Sequence, residues 1–377
     1  MVDAFAREVW AVGVGMTAFG RHEGKTIQAL GTEAVGAALA DAGLGYDAVE
    51  IAYCGHVLQG STAGQKVLYG VGMTGIPIFN VENACASGTS ALRAAAMAVG
   101  HGMADIALAC GFEVMGRGAI PTRGDERLER ESTSGQPPLP ALFANVYREH
   151  ARRYGTTLEQ LAMVSVKNRS YGARNPRAQF RDPVTVDDVM RSREVAPPLR
   201  LLMCCPTTSG AAAIVLASAD VARAMRKPVR IVASVLRSDP AIERGDSLAS
   251  ITEINSQAMR AAYVQAGVTP DQLDCAEVHD CFSIAEIIHY ENLGLCERGE
   301  GGRFAEQAPE QARVKVSTSG GLLAKGHPLG ATGVAQAVES VEQLRGDSGA
   351  RQVEGARLAL AHCQGFGGAA GVHIFAR

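Results

Sequence analysis

The sequence lacks the short motifs that identify several large classes of enzyme. It contains no G-x-x-x-x-G-K-[ST] phosphate loop and no G-x-S-x-G nucleophile elbow, which argues against a P-loop nucleotidase and a serine hydrolase. A dinucleotide-binding Rossmann domain needs G-x-G-x-x-G between an early strand and a helix, and Gly13-Val14-Gly15 lacks the third glycine. None of these three classes is predicted.

An excess of charge of one sign is also absent. The 36 basic residues nearly balance the 39 acidic ones and form no long cationic run, so nucleic-acid binding is not predicted. The nine cysteines include no C-x-x-C pair and no zinc-type spacing. This pattern favours free thiols in a reduced cytoplasmic setting, and it predicts neither a disulfide framework nor a metal site.

A long uncharged stretch, Leu201 to Ala219, does not predict a membrane span. Its 19 residues would suffice by length. However, Pro206-Thr207-Thr208-Ser209-Gly210 is typical of a turn, so we interpret the stretch as a loop followed by a buried strand over 212–217. No secretion or import signal is recognised, and we expect a cytoplasmic protein without membrane contact.

The segment Asn83-Ala84-Cys85-Ala86-Ser87-Gly88-Thr89-Ser90 places one thiol among small residues, just before a helix-forming run over 91–97. The N-terminus of a helix favours a thiolate and can lower a cysteine pKa from ~8.5 to ~3.5–7.5. The small neighbours would also let a bulky acyl group reach the sulfur. The alternative is an inert buried thiol, because free cysteine is among the most buried residue types.

Three C-terminal segments contain the groups that such a nucleophile needs. They are His279-Asp280-Cys281-Phe282, Gly326-His327-Pro328 within a glycine-rich run, and His362-Cys363-Gln364-Gly365 after a strand-like run. An imidazole with an ordinary pKa of ~6.5 exchanges protons at neutral pH. Together the segments provide a base, further thiols and glycine-rich backbone.

The pattern of helices and strands indicates an internal duplication. In the first half, a helix over 27–42 ends at Gly43, and in the second half a helix over 256–266 ends at Gly267, as C-capping glycines do. In each half a short linker then leads to a strand. At 377 residues the chain also exceeds the usual size of a single core, and two cores are expected.

The duplication extends to the residues that carry chemistry. The helix after Cys85 leads to a strand-like run over 106–111, and the helix after His327 leads to a similar run over 358–362. Cys85 and His327 are therefore predicted at equivalent helix N-termini in the two α/β halves.

With four motifs in this order, the chain resembles the thiolase superfamily over nearly its whole length, and most closely the sterol-carrier-protein type. Degradative and biosynthetic thiolases carry Asn-Glu-Ala-Phe where this chain has His-Asp-Cys-Phe at 279–282, and that replacement is typical of the sterol-carrier type. One departure is Ser317-Thr318, which stands where thiolases usually carry Asn-Pro. We expect altered loop support there.

The resemblance implies an α/β thiolase fold. Two duplicated βαβαβαββ halves would form a five-layered αβαβα arrangement with an inserted loop domain. It assigns residues 1–116 and 201–226 to the N-terminal half and residues 227–377 to the C-terminal half. Residues 117–200 would form the loop domain that covers the substrate and CoA.

The same resemblance implies the reaction and its two main groups. Cys85 would take the acyl group of a 3-oxoacyl-CoA, with His327 as the base that ionises it, and free CoA would then remove the acyl group. The reverse reaction is a Claisen condensation. CoA is thus expected as a co-substrate, with no bound cofactor and no metal.

A second thiol is expected to handle the proton at the α-carbon. Cys363 matches the Cys-x-Gly motif, whereas Cys281 stands where the sterol-carrier type carries its acid/base, and that type more often has Asn in place of Cys363. We favour Cys281 and keep Cys363 as the alternative. His279 is expected to help hold the enolate oxygen, and His362 is expected to be structural.

Backbone and apolar groups complete the predicted site. The N–H groups of Cys85 and Gly365 are expected to stabilise the tetrahedral oxyanion. Gly326, Phe282 and Phe366 are expected to contact the substrate. The acyl group itself is not predicted, and short-chain, fatty, steroid side-chain and aromatic groups all stay open.

Assembly and an alternative activity also follow from the resemblance. A homodimer or a dimer of dimers is expected. Some relatives of the sterol-carrier type are paired with a small zinc-ribbon and OB-fold partner subunit. One alternative here is therefore a thiolase-like subunit that binds acyl-CoA or a partner without chemistry, or that works as a retro-aldolase with a companion. A ketoacyl-synthase-like condensing enzyme ranks second to a thiolase, because the chain lacks the His-Gly-Thr-Gly-Thr segment of that family.

One further histidine, His56, follows Cys54-Gly55. We interpret it as a solvated loop histidine.

Overall fold

The computed structural model describes residues 5–116, 138–240 and 246–377. Within these ranges it contains twelve strands and twelve α-helices. The N-terminal half has strands and helices at β1 (Val9–Met16), α1 (Ile27–Ala42), β2 (Ile51–Gly55), α2 (Ala63–Leu68), β3 (Ile78–Val81), α3 (Ser87–Gly100) and β4 (Ile106–Glu113).

The middle of the described chain is mostly helical and returns to the first half through a strand. Its elements are α4 (Pro138–Tyr154), α5 (Leu158–Ala173), α6 (Val186–Arg191), β5 (Glu194–Ala196), β6 (Leu199–Arg200), β7 (Gly210–Ser218) and α7 (Ala219–Ala222). Helices α4 and α5 pack against the C-terminal half. The first residues of the predicted loop domain, 117–137, lie outside the described ranges.

The C-terminal half repeats the pattern of the first. Its elements are β8 (Val229–Ser238), α8 (Ala249–Ala266), β9 (Cys275–Glu277), α9 (Ser283–Leu293), α10 (Gly301–Ala305), β10 (Lys315–Val316), α11 (Gly321–Ala324), α12 (Thr332–Arg345), β11 (Leu358–Gly365) and β12 (Ala369–Ala376).

The sheet shows that the two halves are duplicates. The N-terminal strands lie in the order β1-β7-β4-β2-β3, and the C-terminal strands lie in the order β8-β12-β11-β9-β10. Numbered within each half, both orders are 1-5-4-2-3. In each half the fifth strand, β7 or β12, is antiparallel to both of its neighbours. The second strand, β2 or β9, is parallel to both of its neighbours. The predicted duplicated fold is therefore confirmed.

The two sets of five strands join edge to edge. Strands β1 and β8 pair antiparallel from Val9 opposite Ile231 to Ala11 opposite Val229, which makes one ten-stranded sheet. Helix α1 covers the outer face of the first half, α8 covers that of the second, and α3 and α12 pack on each other between the halves. The active-site loops that precede α3 and α12 are thereby brought together.

Three apolar clusters replace the two cores expected from chain length. One lies under α1, one lies under α8 and α9, and the third surrounds α3 and α12. The third cluster exists because the shared central layer buries both of its faces. Leu92 and Val338, one from each central helix, are fully buried there.

The uncharged stretch from 201 to 219 begins as a short 3₁₀ helix and continues as the buried strand β7, which confirms the predicted loop and strand. Among the described residues, no helix is both long enough and apolar enough to span a membrane.

Candidate active site

Cys85 lies in the loop between β3 and α3, two residues before the helix begins. The loop is held by its own small polar side chains: Ser87 Oγ donates to the carbonyl of Ala84 at 2.6 Å and accepts the N–H of Asn83 at 2.9 Å. The backbone of Ala84 has a φ of +48°, a left-handed conformation that turns the chain immediately before the thiol.

The small residues after Cys85 allow two protein segments to approach each other. A Cβ added at Gly88 would lie 2.5 Å from the carbonyl oxygen of Gly330, in the loop that carries His327. We had expected the small residues to admit the acyl group. At Gly88, the structure shows that glycine is needed so that the loops that carry Cys85 and His327 can touch.

Three side chains from distant parts of the sequence converge here. The Sγ atom of Cys85 and one ring nitrogen each of His279 and His327 all lie within 4.8 Å of one another. The two imidazole rings meet edge to face, with centroids 5.0 Å apart. A nucleophile and two groups that accept or donate protons thus face a common point.

The tautomer of His327 follows from its hydrogen bonds. Thr332 Oγ1 donates to the carbonyl of Pro328 at 2.9 Å, so its single hydrogen is already used. It therefore accepts from Nδ1–H of His327, at 2.7 Å. This leaves the lone pair on Nε2 of His327, which is buried and has no hydrogen-bond partner in the described structure. In this tautomer Nε2 of His327 can accept a proton.

His279 is positioned by a chain of buried amides and rings. Asn255 uses its NH₂ on the carbonyl of Ile251 and the side chain of Gln364, so its oxygen accepts from Nε2–H of His362 at 2.7 Å. The Nδ1 atom of His362 then accepts the backbone N–H of His279 at 3.4 Å. His362 is outside the cavity lining, so it supports the site from behind.

The two candidate acid/base thiols occupy different positions. Cys281 lines the cavity together with Cys85. Cys363 is buried behind it, with Sγ 3.0 Å from the carbonyl oxygen of Cys85 and 3.3 Å from Nδ1 of His279, and it is not among the lining residues. Cys281 can therefore reach a substrate in the cavity, which favours it as the acid/base. Cys363 instead contacts the carbonyl of Cys85 and the ring of His279.

The cavity above Cys85 has a volume of about 510 Å³ and a mainly apolar wall. Phe282 and Phe366 both line it and pack on Phe143, at centroid distances of 4.2 Å and 5.5 Å. Three arginines also contribute to the lining: Arg21, Arg169 and Arg193. An apolar pocket with cationic groups suits a ligand that is apolar at one end and anionic at the other.

A segment that the sequence did not implicate forms part of the wall. Residues 204–207, before β7, bridge the two halves: Cys204 pairs with Phe282, Cys205 N–H donates to the carbonyl of Cys281 at 2.9 Å, and Thr207 pairs with His327. Residues 204–207 all line the cavity. Residues 204–207 are half-buried, and their uncharged side chains face the cavity.

Burial controls the ionisation of the nucleophile. It raises the pKa of Cys85 to about 12, and the charge of Glu113 adds to this, although the backbone N–H groups of Cys85 and Phe366 oppose it. The prediction that the helix N-terminus lowers the pKa of Cys85 is therefore wrong, because desolvation raises this pKa by more than the two N–H groups lower it. At rest Cys85 is a neutral thiol.

Both facing imidazoles are neutral as well. Burial lowers the pKa of His327 to about 3, and burial together with the nearby His327 lowers the pKa of His279 well below its ordinary value. A neutral thiol opposite a neutral imidazole can transfer its proton when it attacks, which is general-base catalysis rather than a stored ion pair.

Two buried carboxyl groups that the sequence analysis had not assigned support the catalytic loops. Glu113, at the end of β4, accepts the N–H groups of Val57, Leu58 and Gly330, each at 3.0 Å. Asp280 accepts the N–H of Leu322 at 2.8 Å, and burial beside Glu286 raises its pKa to about 8. A lone acidic residue at the end of an apolar strand was the available signal for Glu113.

Other predicted residues lie near the site in different roles. Gly326 does not line the cavity; its φ is +114°, and an added Cβ would meet Thr208 at 2.7 Å. An added Cβ at Gly365 would lie 2.1 Å from the carbonyl of Asn83, and the N–H groups directed at the Cys85 sulfur are those of Cys85 and Phe366. Gly365 therefore serves close packing of the backbone.

His56 is not the solvated residue that we expected. It is buried, its Nε2 lies 3.2 Å from Asn80 Oδ1, and its ring stacks on Phe112 at 5.7 Å. The expectation failed because the loop after β2 is enclosed by the neighbouring strands.

Ser317 and Thr318 stand where thiolases usually carry Asn-Pro. Ser317 has a φ of +57°, and Thr318 Oγ1 lies 3.4 Å from Glu277 Oε1.

Family models cover nearly all of the chain. The model described as "Thiolase, N-terminal domain" matches residues 9–220, and that described as "Thiolase C-terminal domain-like" matches residues 237–377. The chain belongs to the thiolase family. Thiolases are acyltransferases, so the predicted class of enzyme is confirmed.

Three curated thiolase-family relatives align over almost the whole chain. Bovine sterol carrier protein 2 is 42% identical, with 97% of this chain and 72% of the relative covered. The acetyl-CoA acetyltransferase of Methanothermobacter thermautotrophicus is 44% identical, with 98% and 100% covered. Benzoylsuccinyl-CoA thiolase subunit BbsB of Thauera aromatica is 37% identical, with 96% and 95% covered.

Solved structures show the same thiolase fold. The Ltp2-ChsH2(DUF35) aldolase superposes with a TM-score of 0.85 at 25% identity, covering 98% of each chain. Human mitochondrial 3-ketoacyl-CoA thiolase in complex with CoA superposes with a TM-score of 0.76 at 19% identity, covering 99% of each chain. The second comparison supports the fold alone.

Proposed function

We propose that this thiolase cleaves a 3-oxoacyl-CoA with free CoA, or runs the reverse condensation, through an acyl group carried on Cys85. The observation that supports this most strongly is the convergence of the Cys85 thiol with His279 and His327 at the cavity, all within 4.8 Å. A nucleophile beside an oriented base is the arrangement that covalent acyl transfer needs.

In the first step, Cys85 Sγ attacks the ketone carbon of the substrate as its proton passes to Nε2 of His327. The neutral resting state of both groups suits this concerted transfer, because no charge has to be stored in the buried site beforehand. The N–H groups of Cys85 and Phe366, which favour negative charge on the Cys85 sulfur, are assigned to the tetrahedral oxyanion.

In the second step, the bond between the ketone carbon and the α-carbon breaks, and its electron pair forms a thioester enolate. His327, now protonated, donates to the enolate oxygen. We assign Nε2–H of His279 as the second donor, which requires the Cys363 S–H to turn from the carbonyl of Cys85, to which it donates at 3.0 Å in the structure, to Nδ1 of His279 at 3.3 Å. Cys363 thus acts by setting the tautomer of His279.

The α-carbon then takes a proton from the thiol of Cys281. CoA enters, gives its thiol proton to the Cys281 thiolate, and attacks the acyl group on Cys85. The departing Cys85 sulfur recovers a proton from His327, so each group returns to its starting state. Cys281 is chosen over Cys363 because it lines the cavity.

Recognition of CoA is assigned to the three arginines of the cavity. Arg169 is fixed by donating to the carbonyl of Asp182 at 3.0 Å and by lying 4.6 Å over the ring of Phe180. Guanidinium groups bind phosphates through paired hydrogen bonds. Arg169 and Arg193 belong to the segment 117–200, which we propose as the loop domain that covers CoA.

We also propose a homodimer formed through the free edge of β3. Among the described residues, four of the eight exposed large apolar side chains lie between 58 and 79, the segment that leads into this strand: Leu58, Tyr69, Met73 and Phe79. An exposed edge strand with apolar neighbours is a natural pairing surface.

A second candidate function is a retro-aldolase that works with a partner subunit. It is favoured by the TM-score of 0.85 to the Ltp2-ChsH2(DUF35) aldolase. Under this candidate the isolated chain would be inactive in thiolysis, and activity would appear only with a small DUF35-type protein.

The purified chain alone, incubated with CoA and a panel of 3-oxoacyl-CoA esters, separates the two candidates. Chromatography of the products should show two shorter acyl-CoA esters. Cys85→Ser should lower the rate by about 10³-fold or more, as loss of a nucleophile does, and Cys296→Ser, at a free thiol outside the cavity, should not. Inactivity of the wild type on every ester would reject the thiolase proposal.

A further inference from the structure

We propose that Cys85, His279 and His327 also bind a soft divalent cation, with Zn²⁺ as the leading case, and that the bound ion blocks acyl transfer. The three residues are separated by up to 242 positions in the sequence, and no spacing rule detects them. Thiolate and imidazole are the ligand types that zinc prefers.

The distances suit a tetrahedral ion after a small closure. Zn–S bonds of about 2.3 Å and Zn–N bonds of about 2.0–2.1 Å set ligand atoms roughly 3.3–3.6 Å apart in a tetrahedron. The sulfur and the two nitrogens lie within 4.8 Å of one another. An approach of up to roughly 1.5 Å, by rotation of the three side chains, would therefore complete three of the four positions.

Two unpartnered nitrogens mark the place of the ion. Nε2 of His279 and Nε2 of His327 are both buried without a hydrogen-bond partner in the described structure, and both residues line the cavity. The two histidines are 1% and 2% exposed. Buried nitrogens that lack a partner are rare and carry a free-energy cost, which coordination would remove.

The opposite side of each ring is already supported. Nδ1 of His327 contacts Thr332 Oγ1 at 2.7 Å, and Nδ1 of His279 contacts Cys363 Sγ at 3.3 Å. Ligating histidines in metal sites are oriented by such contacts at the second nitrogen. The fourth coordination position faces the cavity, where a water molecule or a substrate thioester would fit.

Coordination would occupy both the nucleophile and the base that the acyl transfer uses. The ion replaces the proton of the Cys85 thiol, which leaves to solvent, and it occupies the lone pair of His327 that would have accepted that proton. The enzyme with bound zinc should therefore be inactive, and removal of the ion by a chelator should restore activity.

Cobalt substitution provides a test that does not depend on activity. Chelator-treated protein is titrated with Co²⁺ under anaerobic conditions, and visible and near-ultraviolet spectra are recorded. We expect one equivalent to produce tetrahedral d–d bands and a thiolate-to-cobalt charge-transfer band, and one equivalent of Zn²⁺ to remove both. Cys85→Ser should abolish the charge-transfer band, and Cys204→Ser, the matched thiol of the same cavity, should retain it.

Two further variants make the assignment specific. His279→Asn should remove the tetrahedral bands, and Thr332→Val, which takes away the contact at Nδ1 of His327, should weaken zinc binding by about 10–100-fold. Circular dichroism and thermal unfolding establish that each variant is folded. Absence of cobalt bands in the folded wild type, or charge-transfer bands that survive in Cys85→Ser, would overturn the proposal.

Discussion

Thr332 Oγ1 lies 2.7 Å from Nδ1 of His327 and gives its own hydrogen to the carbonyl of Pro328. This pair sets the tautomer of the proposed catalytic base, because a hydroxyl that already donates can only accept from the ring. The helix that begins at Thr332 therefore determines which nitrogen of His327 faces Cys85.

Thr332→Val should leave substrate binding largely unchanged and lower kcat. The methyl group fills the same volume but cannot accept from Nδ1–H, and one lost hydrogen bond to a buried group corresponds to about tenfold in rate. Steady-state kinetics checks this. Ser340→Ala is the control, since Ser340 donates to the carbonyl of Gln336 within the same helix. A rise in KM with constant kcat would contradict a role in positioning the base.

The reactivity of Cys85 with iodoacetamide should rise steeply with pH. Since burial raises the pKa of this thiol to about 12, the thiolate fraction increases roughly tenfold for each pH unit below that value. His327, with its pKa lowered to about 3, is already neutral above pH 5 and adds no step. Alkylation of the Cys85 peptide, followed by mass spectrometry between pH 6 and 9, should show no plateau. A plateau below pH 8 would indicate a preformed thiolate.

The two candidate acid/base thiols should differ in proton exchange. Cys281→Ala should abolish exchange of deuterium into the α-carbon of an acyl-CoA, because no other thiol is assigned to that carbon. Cys363→Ala should slow exchange only in part, through loss of its contact with His279 Nδ1. Nuclear magnetic resonance of the substrate measures both rates. The reverse order of effects would assign the role to Cys363.

Phe79→Glu should convert the proposed homodimer to a monomer. Phe79 is 49% exposed on the edge strand β3, stacked 5.1 Å from Tyr53, and a carboxylate there would be desolvated in a paired edge. Analytical ultracentrifugation measures the change. Met103→Glu, at a position 72% exposed after α3, is the control and should keep the wild-type mass. An unchanged dimer in Phe79→Glu would place the interface elsewhere.

The sequence predicted the bounds of a helix well where a capping residue marks its end. Helix α1 runs over 27–42 as expected, because Gly43 takes the left-handed conformation that ends it. Helix α8 begins seven residues earlier than predicted, at Ala249 instead of Ser256. The prediction missed the first two turns because Thr252 and Asn255 interrupt the apolar pattern. In the structure both are buried, and their side chains form hydrogen bonds within the helix and, for Asn255, with Gln364.

Three of the predicted site residues converge at the cavity, whereas the ionisation of Cys85 was not predicted correctly. Motifs identified Cys85, His279 and His327, because each stands in a recognisable glycine-rich or strand-end segment. The ionisation state of Cys85 depends on how completely the folded chain removes water from the sulfur, and no local pattern reports that. Glu113 and the wall formed by residues 204–207 likewise depend on contacts between the two halves.

The most direct test of the acyl-enzyme account is intact mass spectrometry after incubation with 3-oxoacyl-CoA esters and no free CoA. The account predicts one acyl mass on the peptide that contains Cys85, absent from Cys85→Ser and removed when CoA is added. An acyl group on another residue, or a folded wild-type protein that turns over substrate with no adduct on Cys85, would contradict it.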